Sequence, residues 1–464
     1  MVQMLRALCT FLKLVAQLRR NNLYVPVLRL NHGIPNALRH SVATKLDDSS
    51  ELMSTTKSAG FEVSKVRLDF PALDQRVHGH TLVYLDSGST TQKPRSVIEA
   101  LRHFYEADCA NIHRGVHELS ERATTAYEAA RIKAQLFLNA RGHAEIVFVR
   151  GATEGINLVA ASWGRKNVKQ GDEIVITTLE HHSNVVPWQL LCEETGAVLR
   201  WIPIDDRGEL ILEEYERLLG PRTRVVAVSH ASNTLGTINP IRQIAQMAHQ
   251  AGAVVVVDGA QGAPHVRVDV QALDVDFYAF SGHKVLGPTG IGVLYGKSEL
   301  LESMPPYQSG GGIIRTVTLE KSTYSEPPSR FEAGTPNIAG AIGLGAALDY
   351  IAQVGIDEVA AYEHELLLGG TAALSTVPGL RIIGAARDKA PVLSFVMDGI
   401  DAHDVGAMLD LMGIAVRCGH HCAQPVMTRF HLAATTRASL AFYNTMAEID
   451  TLARGLQKIR ETFQ

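Results

Sequence analysis

The sequence predicts an α/β protein: a mainly parallel sheet with helices on both faces, followed by a smaller α/β carboxyl-terminal domain. Three observations predict it. Short, β-branched, unbroken apolar runs recur through the middle of the chain; helical patterns separate them; and glycine-rich turns stand at the junctions. Strands covered on both faces read as continuous apolar runs, whereas half-exposed strands alternate.

Taken in order, "EIVFVRGA" (145–152) is a buried strand that leads directly into "TEGINLVAASWG", a helical pattern. "DEIVITT", "RVVAVSH" and "AVVVVDGA" are further buried strands. Between the last two lies "NPIRQIAQMAHQAGA", with Pro240 suited to a first helical turn and Gly252 to a helix end. Strand, helix and strand repeated in this way give parallel pairing. "RFEAGTPNIAGAIGLGAALDYIAQVG" is a long helical pattern, after which the chain reads as the smaller lobe. The expected division is an extension over 1–60, an amino-terminal segment with the large domain over 61–353, and the small domain over 354–464. Ligands of such sheets collect beyond the carboxyl ends of the strands. Thr153, His181, Asn233, Asp258 and Ser281 each follow an apolar run and so belong there.

Bulk properties narrow the function classes. With 464 residues, 46% hydrophobic content and a formal charge of −4, the chain has the composition of a globular enzyme and gives no electrostatic reason to expect nucleic acid. No apolar run reaches the length of a membrane span. Five cysteines, an odd number without a CxxC pair, argue against a disulfide framework and for a reducing, cytoplasmic setting. The first 46 residues hold no Asp or Glu, and "MLRALCTFLKLVAQLRR" sets Arg6, Lys13 and Arg20 opposite Leu5, Leu8, Leu12 and Val15. An organellar presequence over 1–52 or a surface-binding helix is one reading. The favoured one is an extension upstream of Met53 with no folded role, because the serine-rich character of transit peptides is missing: Ser41 stands alone in this stretch.

Chemistry concentrates in "DFYAFSGHKVLGPTGIGVLYG" (276–296). Lysines avoid apolar, glycine-rich settings, and a buried lysine has a lowered pKa, leaving the neutral amine that condenses with a carbonyl. Alone, "SGHK" also fits a lysine on a surface loop. The preceding strand ends in Asp258, 26 positions before Lys284. By itself that carboxylate also fits a helix cap. Pyridoxal 5'-phosphate, however, needs both a lysine and a carboxylate that keeps its pyridine nitrogen protonated. "GATEG", with Ala152 and Thr153 at a strand-to-helix turn, offers backbone N–H groups and a positive dipole end to a phosphate. "LEHHSNVVPW" adds the flat ring of His181.

Together with "YLDSGSTTQKP", "NIHRGVHELS", "SNTLGTINPI", "DGAQGAPH", "PSRFEAGTPN", "RCGHHCAQP" and "RASLAFYNT", these motifs resemble the class V aminotransferase superfamily of fold-type I, and within it the SufS-type cysteine desulfurases. The resemblance runs from about residue 61 to the carboxyl terminus. It implies that Lys284 holds the cofactor covalently, Asp258 pairs with the pyridine nitrogen, Gln261 with the phenolic oxygen, and His181 stacks on the ring. It implies phosphate binding by Thr153, Ser281 and His283, helped by Thr335 of a second copy, hence a homodimer. Arg437 and Asn233 would hold the substrate carboxylate, His113 and Arg114 would lie at the mouth, and Cys422 would be the nucleophile. The implied reaction takes sulfur from L-cysteine onto Cys422 and leaves L-alanine, with His181 moving the thiol proton. L-selenocysteine suits the same route. The persulfide then passes to a SufE- or SufU-like acceptor for iron–sulfur cluster assembly. Ser87 and Gly88 depart from the family's usual "DNAATTQKP", and Cys418 stands where a small residue such as threonine is common.

"RCGHHC" also admits other readings. A structural zinc site needs four converging ligands, and no second cysteine pair exists to complete one. Inert core packing suits Cys109, Cys192 and Cys418. Around Cys422, Arg417, His420 and His421 form the basic neighbourhood that favours a reactive thiolate. A different transferase or lyase of the same fold, or a persulfide-carrying scaffold with weak turnover, remains the alternative; the former needs no thiol at this position.

Overall fold

Seven strands pair in the order β1-β7-β6-β5-β4-β2-β3, as seen in a computed structural model that describes residues 61–463. They are β1 (Ile146–Val149), β2 (Glu173–Thr177), β3 (Val198–Ile202), β4 (Thr223–Ser229), β5 (Val254–Asp258), β6 (Phe277–Ser281) and β7 (Gly292–Gly296). β2 to β6 pair in parallel, while β7 runs antiparallel to both β6 and β1. The mainly parallel sheet is therefore as expected, with one reversed strand inside it. The apolar runs are explained by two-sided burial: Val226 and Val228 of β4 enter one core layer, and Val225 and Ala227 enter the other. The acid-free leader and Cys9 lie outside the described residues.

Among the helices, α1 (Glu118–Leu138) and α2 (Ala152–Val159) flank β1, α3 (Val186–Thr195) follows β2, and α4 (Ile241–Gln250) connects β4 to β5. The helical pattern after β1 holds throughout: α2 runs on through a π-type stretch over residues 160–164 into a last turn at Arg165–Asn167. α5 (Ile338–Val354) is capped by Asn337, whose side chain accepts from the Gly340 N–H. Its small residues let it approach α1 closely: a Cβ on Gly345 would sit 3.0 Å from that of Ala130. The chain then turns by 75° at Gly355 into α6 (Ile356–Ser375). No single described helix is long and apolar enough to cross a membrane.

Beyond α6 lies a four-stranded antiparallel sheet, in the order β8-β9-β11-β10. Its strands are β8 (Leu380–Ile383), β9 (Val392–Met397), β10 (Arg417–Gly419) and β11 (Thr435–Ser439), packed with α6, α7 (Ala402–Leu411) and α8 (Met446–Thr462). The core of this layer also takes Val83 and Leu85 from the start of the described chain. That segment runs on to Ser87–Ser89, which brings the "DSGS" motif beside β11: Gly88 N–H donates to Ser439 Oγ at 2.8 Å. Gly88 fits there because a Cβ would stand 3.1 Å from Ser439 and 3.3 Å from Arg437.

Candidate active site

The carboxyl ends of β1, β2, β4, β5 and β6 open on a cavity of about 220 Å³. At one end, the backbone leaves β1 at Gly151 and enters α2. Ser281, the last residue of β6, accepts the Ala152 N–H on its Oγ at 2.9 Å. Gly292 of β7 must be a glycine for this turn to lie against it: a Cβ there would come within 2.6 Å of Gly151 Cα. With Ala152, Thr153, Ser281 and His283 lining this end, the α2 amino terminus forms a seat for an anion. Burial pushes His283 down to about 4, so its ring is a neutral hydrogen-bonding group.

Lys284 lies in the single turn that follows β6, and its amine is pushed down to about 8 by burial, against the opposing pull of Asp258. Asp258 ends β5 with its carboxylate buried; it accepts the Ala260 N–H at 3.0 Å, and burial pushes it up while the charge of Lys284 pulls it down. Such a carboxylate is satisfied by a cation placed against it. Gln261 donates to the Gly88 carbonyl at 2.6 Å and lines the same wall. A lysine amine near neutrality, a buried carboxylate needing a cation, a flat ring and an anion seat at a helix start together fit pyridoxal phosphate.

His181 rides on a turn built around Glu180. That carboxylate accepts from Thr177 Oγ1 and Asn184 Nδ2, both at 2.6 Å, and from the Ser229 N–H at 2.9 Å; burial raises it to about 7. His181 is pushed down to about 3, first by burial and then by Lys284, His182, Arg437 and Arg417.

Opposite, the "RCGHHC" segment leaves β10 and turns back with His421 and Cys422 both in the left-handed region, at φ 53° and 56°. Such conformations cost about 1–3 kcal/mol each and persist only where surroundings enforce them. The enforcement is visible. His182 N–H donates to the Cys422 carbonyl at 2.7 Å, Asn233 Nδ2 donates to the His421 carbonyl at 2.7 Å, and Cys422 N–H donates to His420 Nδ1 at 3.1 Å. Arg437, from β11, is almost fully buried. It donates to Asp86 at 3.1 Å, Ser89 at 2.9 Å and the Asn233 carbonyl at 2.8 Å, while its Nε has no partner. Cys418 Sγ turns away toward Thr436 Oγ1 at 3.8 Å and against Gly406, and burial raises its thiol pKa.

Comparison with known proteins decides the family. The aminotransferase class-V family model matches residues 83–452. A cysteine desulfurase of Synechococcus elongatus is 57% identical over 87% of the chain, which spans 64% of that longer relative. A cysteine desulfurase of an Enterobacter species is 53% identical over 86% of the chain and 98% of its own length. The chain belongs to the class-V aminotransferases. Its fold is similar to that of the cysteine desulfurase CsdA from Escherichia coli, with a TM-score of 0.81 and 41% identity over 87% of the chain and 99% of CsdA.

Of the residues expected at the site, Ala152, Thr153, His181, Asn233, Asp258, Gln261, Ser281, His283, Lys284, Cys422 and Arg437 line the one cavity. His113, Arg114 and Thr335 do not. All three are exposed, and His113 Nε2 meets Glu128 at 3.0 Å beside a separate depression. Cys109, expected in the core, is exposed and is corrected here: it follows the π-type turn that ends the preceding helix at the surface. Sequence reasoning missed Ser89, Ser183 and Ser229, which line the cavity, and Asp86 and Glu180, which orient its walls. Ser183 and Glu180 flank His181 in a quoted motif, so adjacency was the available signal.

Proposed function

We propose that the protein is a pyridoxal-phosphate-dependent cysteine desulfurase that moves sulfur from L-cysteine onto Cys422 and releases L-alanine. The observation that carries this reading is the presence of Lys284 and Cys422 in the wall of one small cavity, which the Arg437 guanidinium also lines while donating to Ser89 at 2.9 Å. A transaminase or racemase has no use for a thiol there.

Lys284 would hold the cofactor, with Asp258 against its ring nitrogen, Gln261 at its oxygen, His181 on its face, and Thr153, Ser281 and His283 around its phosphate. Bound in this way, the cofactor supplies an electron sink that acidifies the α-carbon of an attached amino acid. Arg437 and Asn233 orient the substrate carboxylate, Arg437 being pre-set by Asp86 and Ser89. Burial lowers the Lys284 amine to about 8, toward the neutral form in which Nζ can exchange a proton with the substrate α-carbon. Cys422 attacks the substrate Sγ: the new S–S bond forms as Cβ–Sγ breaks, and the bonding pair stays with the carbon skeleton, which is protonated to alanine.

The clamped, strained Cys422 turn supports delivery to a small acceptor protein that brings its own thiol to the cavity, as a SufE- or SufU-like partner would, with iron–sulfur assembly as the destination. Homodimerisation, with Thr335 of one copy completing the phosphate seat of the other and His113 and Arg114 at the mouth, agrees with the exposure of all three residues. Bacterial relatives and unpaired thiols among the described cysteines support a cytoplasmic setting. The holoprotein given L-cysteine and a thiol reductant should release alanine and sulfide in equal amounts. Pyruvate and ammonia as the products would make it a lyase and overturn the reading.

A further inference from the structure

The geometry points to Ser183 as the residue that fixes His181 in one neutral tautomer, with its proton on Nε2. The ring then serves the reaction as a hydrogen-bond donor and not as the base that takes the substrate thiol's proton. This deepens the desulfurase reading and rests on it.

A neutral imidazole has one N–H and one bare nitrogen, and the partner of either settles which is which. At His181, both donors of Ser183 converge on Nδ1: the backbone N–H at 3.1 Å and the hydroxyl at 2.8 Å. A backbone N–H only donates, so Nδ1 must be the acceptor; a proton there would set two hydrogens against each other. The hydroxyl has a second neighbour, Asp258 Oδ2, at 3.5 Å, too long to compete with a 2.8 Å contact. No relay of protons from His181 through Ser183 to Asp258 is therefore set up. Nε2 has no partner among the described residues, and the ring lines the cavity, so the group offered to the substrate is Nε2–H.

The surroundings keep the ring from taking a second proton. Burial disfavours the charged ring most, and Lys284, Arg437 and Arg417 add to this by facing it with positive charge. Of the carboxylates, Glu180 is committed to Thr177, Asn184 and Ser229, and Asp258 reaches His181 only through Ser183. The lone pair that a base would need is thus already occupied by the two Ser183 donors.

Histidine-selective ¹⁵N NMR of the full-length holoprotein reads the tautomer without turnover. From about pH 5 to about pH 8, where an ordinary histidine titrates, His181 should keep a pyridine-type Nδ1 and a protonated, pyrrole-type Nε2. Ser183→Ala, which leaves only the backbone donor, should move the Nδ1 resonance toward its unbonded position, and Ser183→Thr should restore it. In turnover, His181→Gln, which supplies an N–H but no base, should stay within about tenfold of wild type in kcat. His181→Leu should fall well below it. A protonated Nδ1, an imidazolium within that pH range, or an equal loss of about a hundredfold or more in both His181 variants, as removal of a general base gives, would overturn the inference. Absence of alanine with the expected tautomer would instead overturn the desulfurase reading.

Discussion

Lys284 and Asp258 show how far single residues can be read. Each was visible as a charged side chain after an apolar run; Asp258 is buried at the end of β5, and Lys284 is half-buried in the turn that follows β6. Their partners were not visible, because Ser183, Asp86 and Glu180 are ordinary polar residues until the fold brings an acceptor or donor to them. Burial gives Lys284 a pKa about 8 against 10.5 for a free lysine. The sign of the linkage follows. Between these values the unfolded chain holds the proton and the folded chain does not, so the cost of burying this amine is relieved as pH rises through that window. An amine-directed reagent applied to the cofactor-free protein should therefore label Lys284 with a rate that climbs through about pH 8, ahead of the surface lysines. Mass spectrometry of the labelled peptides checks this; labelling of Lys284 only near pH 10.5, with the rest, would contradict it.

At the scale of elements, β2, β4 and β5 were legible because two-sided burial demands unbroken apolar runs. The reversal of β7 was not, since such a run carries no direction and its antiparallel pairing is set by the short return through residues 282–291. The π-type stretch that continues α2 was not legible either, because it leaves the apolar pattern intact. What positions α2 is a backbone contact: a Cβ on Gly292 would meet Phe280 O at 2.5 Å and Gly151 Cα at 2.6 Å, neither of which can swing aside. Gly292→Ala should cost about 1–3 kcal/mol through overpacking. It should also weaken pyridoxal phosphate retention by pushing the Gly151–Thr153 seat off Ser281. Thermal denaturation and cofactor titration would show both effects together. Lost stability with unchanged cofactor affinity would mean that this seat does not hold the phosphate.

The whole molecule unites two sheets around the cavity: β1, β2, β4, β5 and β6 supply the cofactor side, and β10 and β11 supply Cys422 and Arg437. Far from the chemistry, Glu332 ties several of these parts together. It accepts two hydrogen bonds from buried Arg131 of α1, at 2.6 and 3.0 Å, and one from the Phe148 N–H of β1 at 2.8 Å. Removing one partner of a buried pair leaves an uncompensated charge, so Glu332→Ala should lower stability by about 3–5 kcal/mol in denaturant unfolding; an effect below about 1 kcal/mol would show that Glu128 alone satisfies Arg131. The sulfur transfer itself is tested most directly by mass spectrometry of the holoprotein after brief exposure to L-cysteine without reductant. One extra sulfur atom should appear on the peptide that carries Cys422, together with one equivalent of alanine, and both should vanish in Cys422→Ala while surviving in Cys418→Ala. Sulfur on Cys418 alone, or alanine released undiminished by Cys422→Ala, would contradict the account.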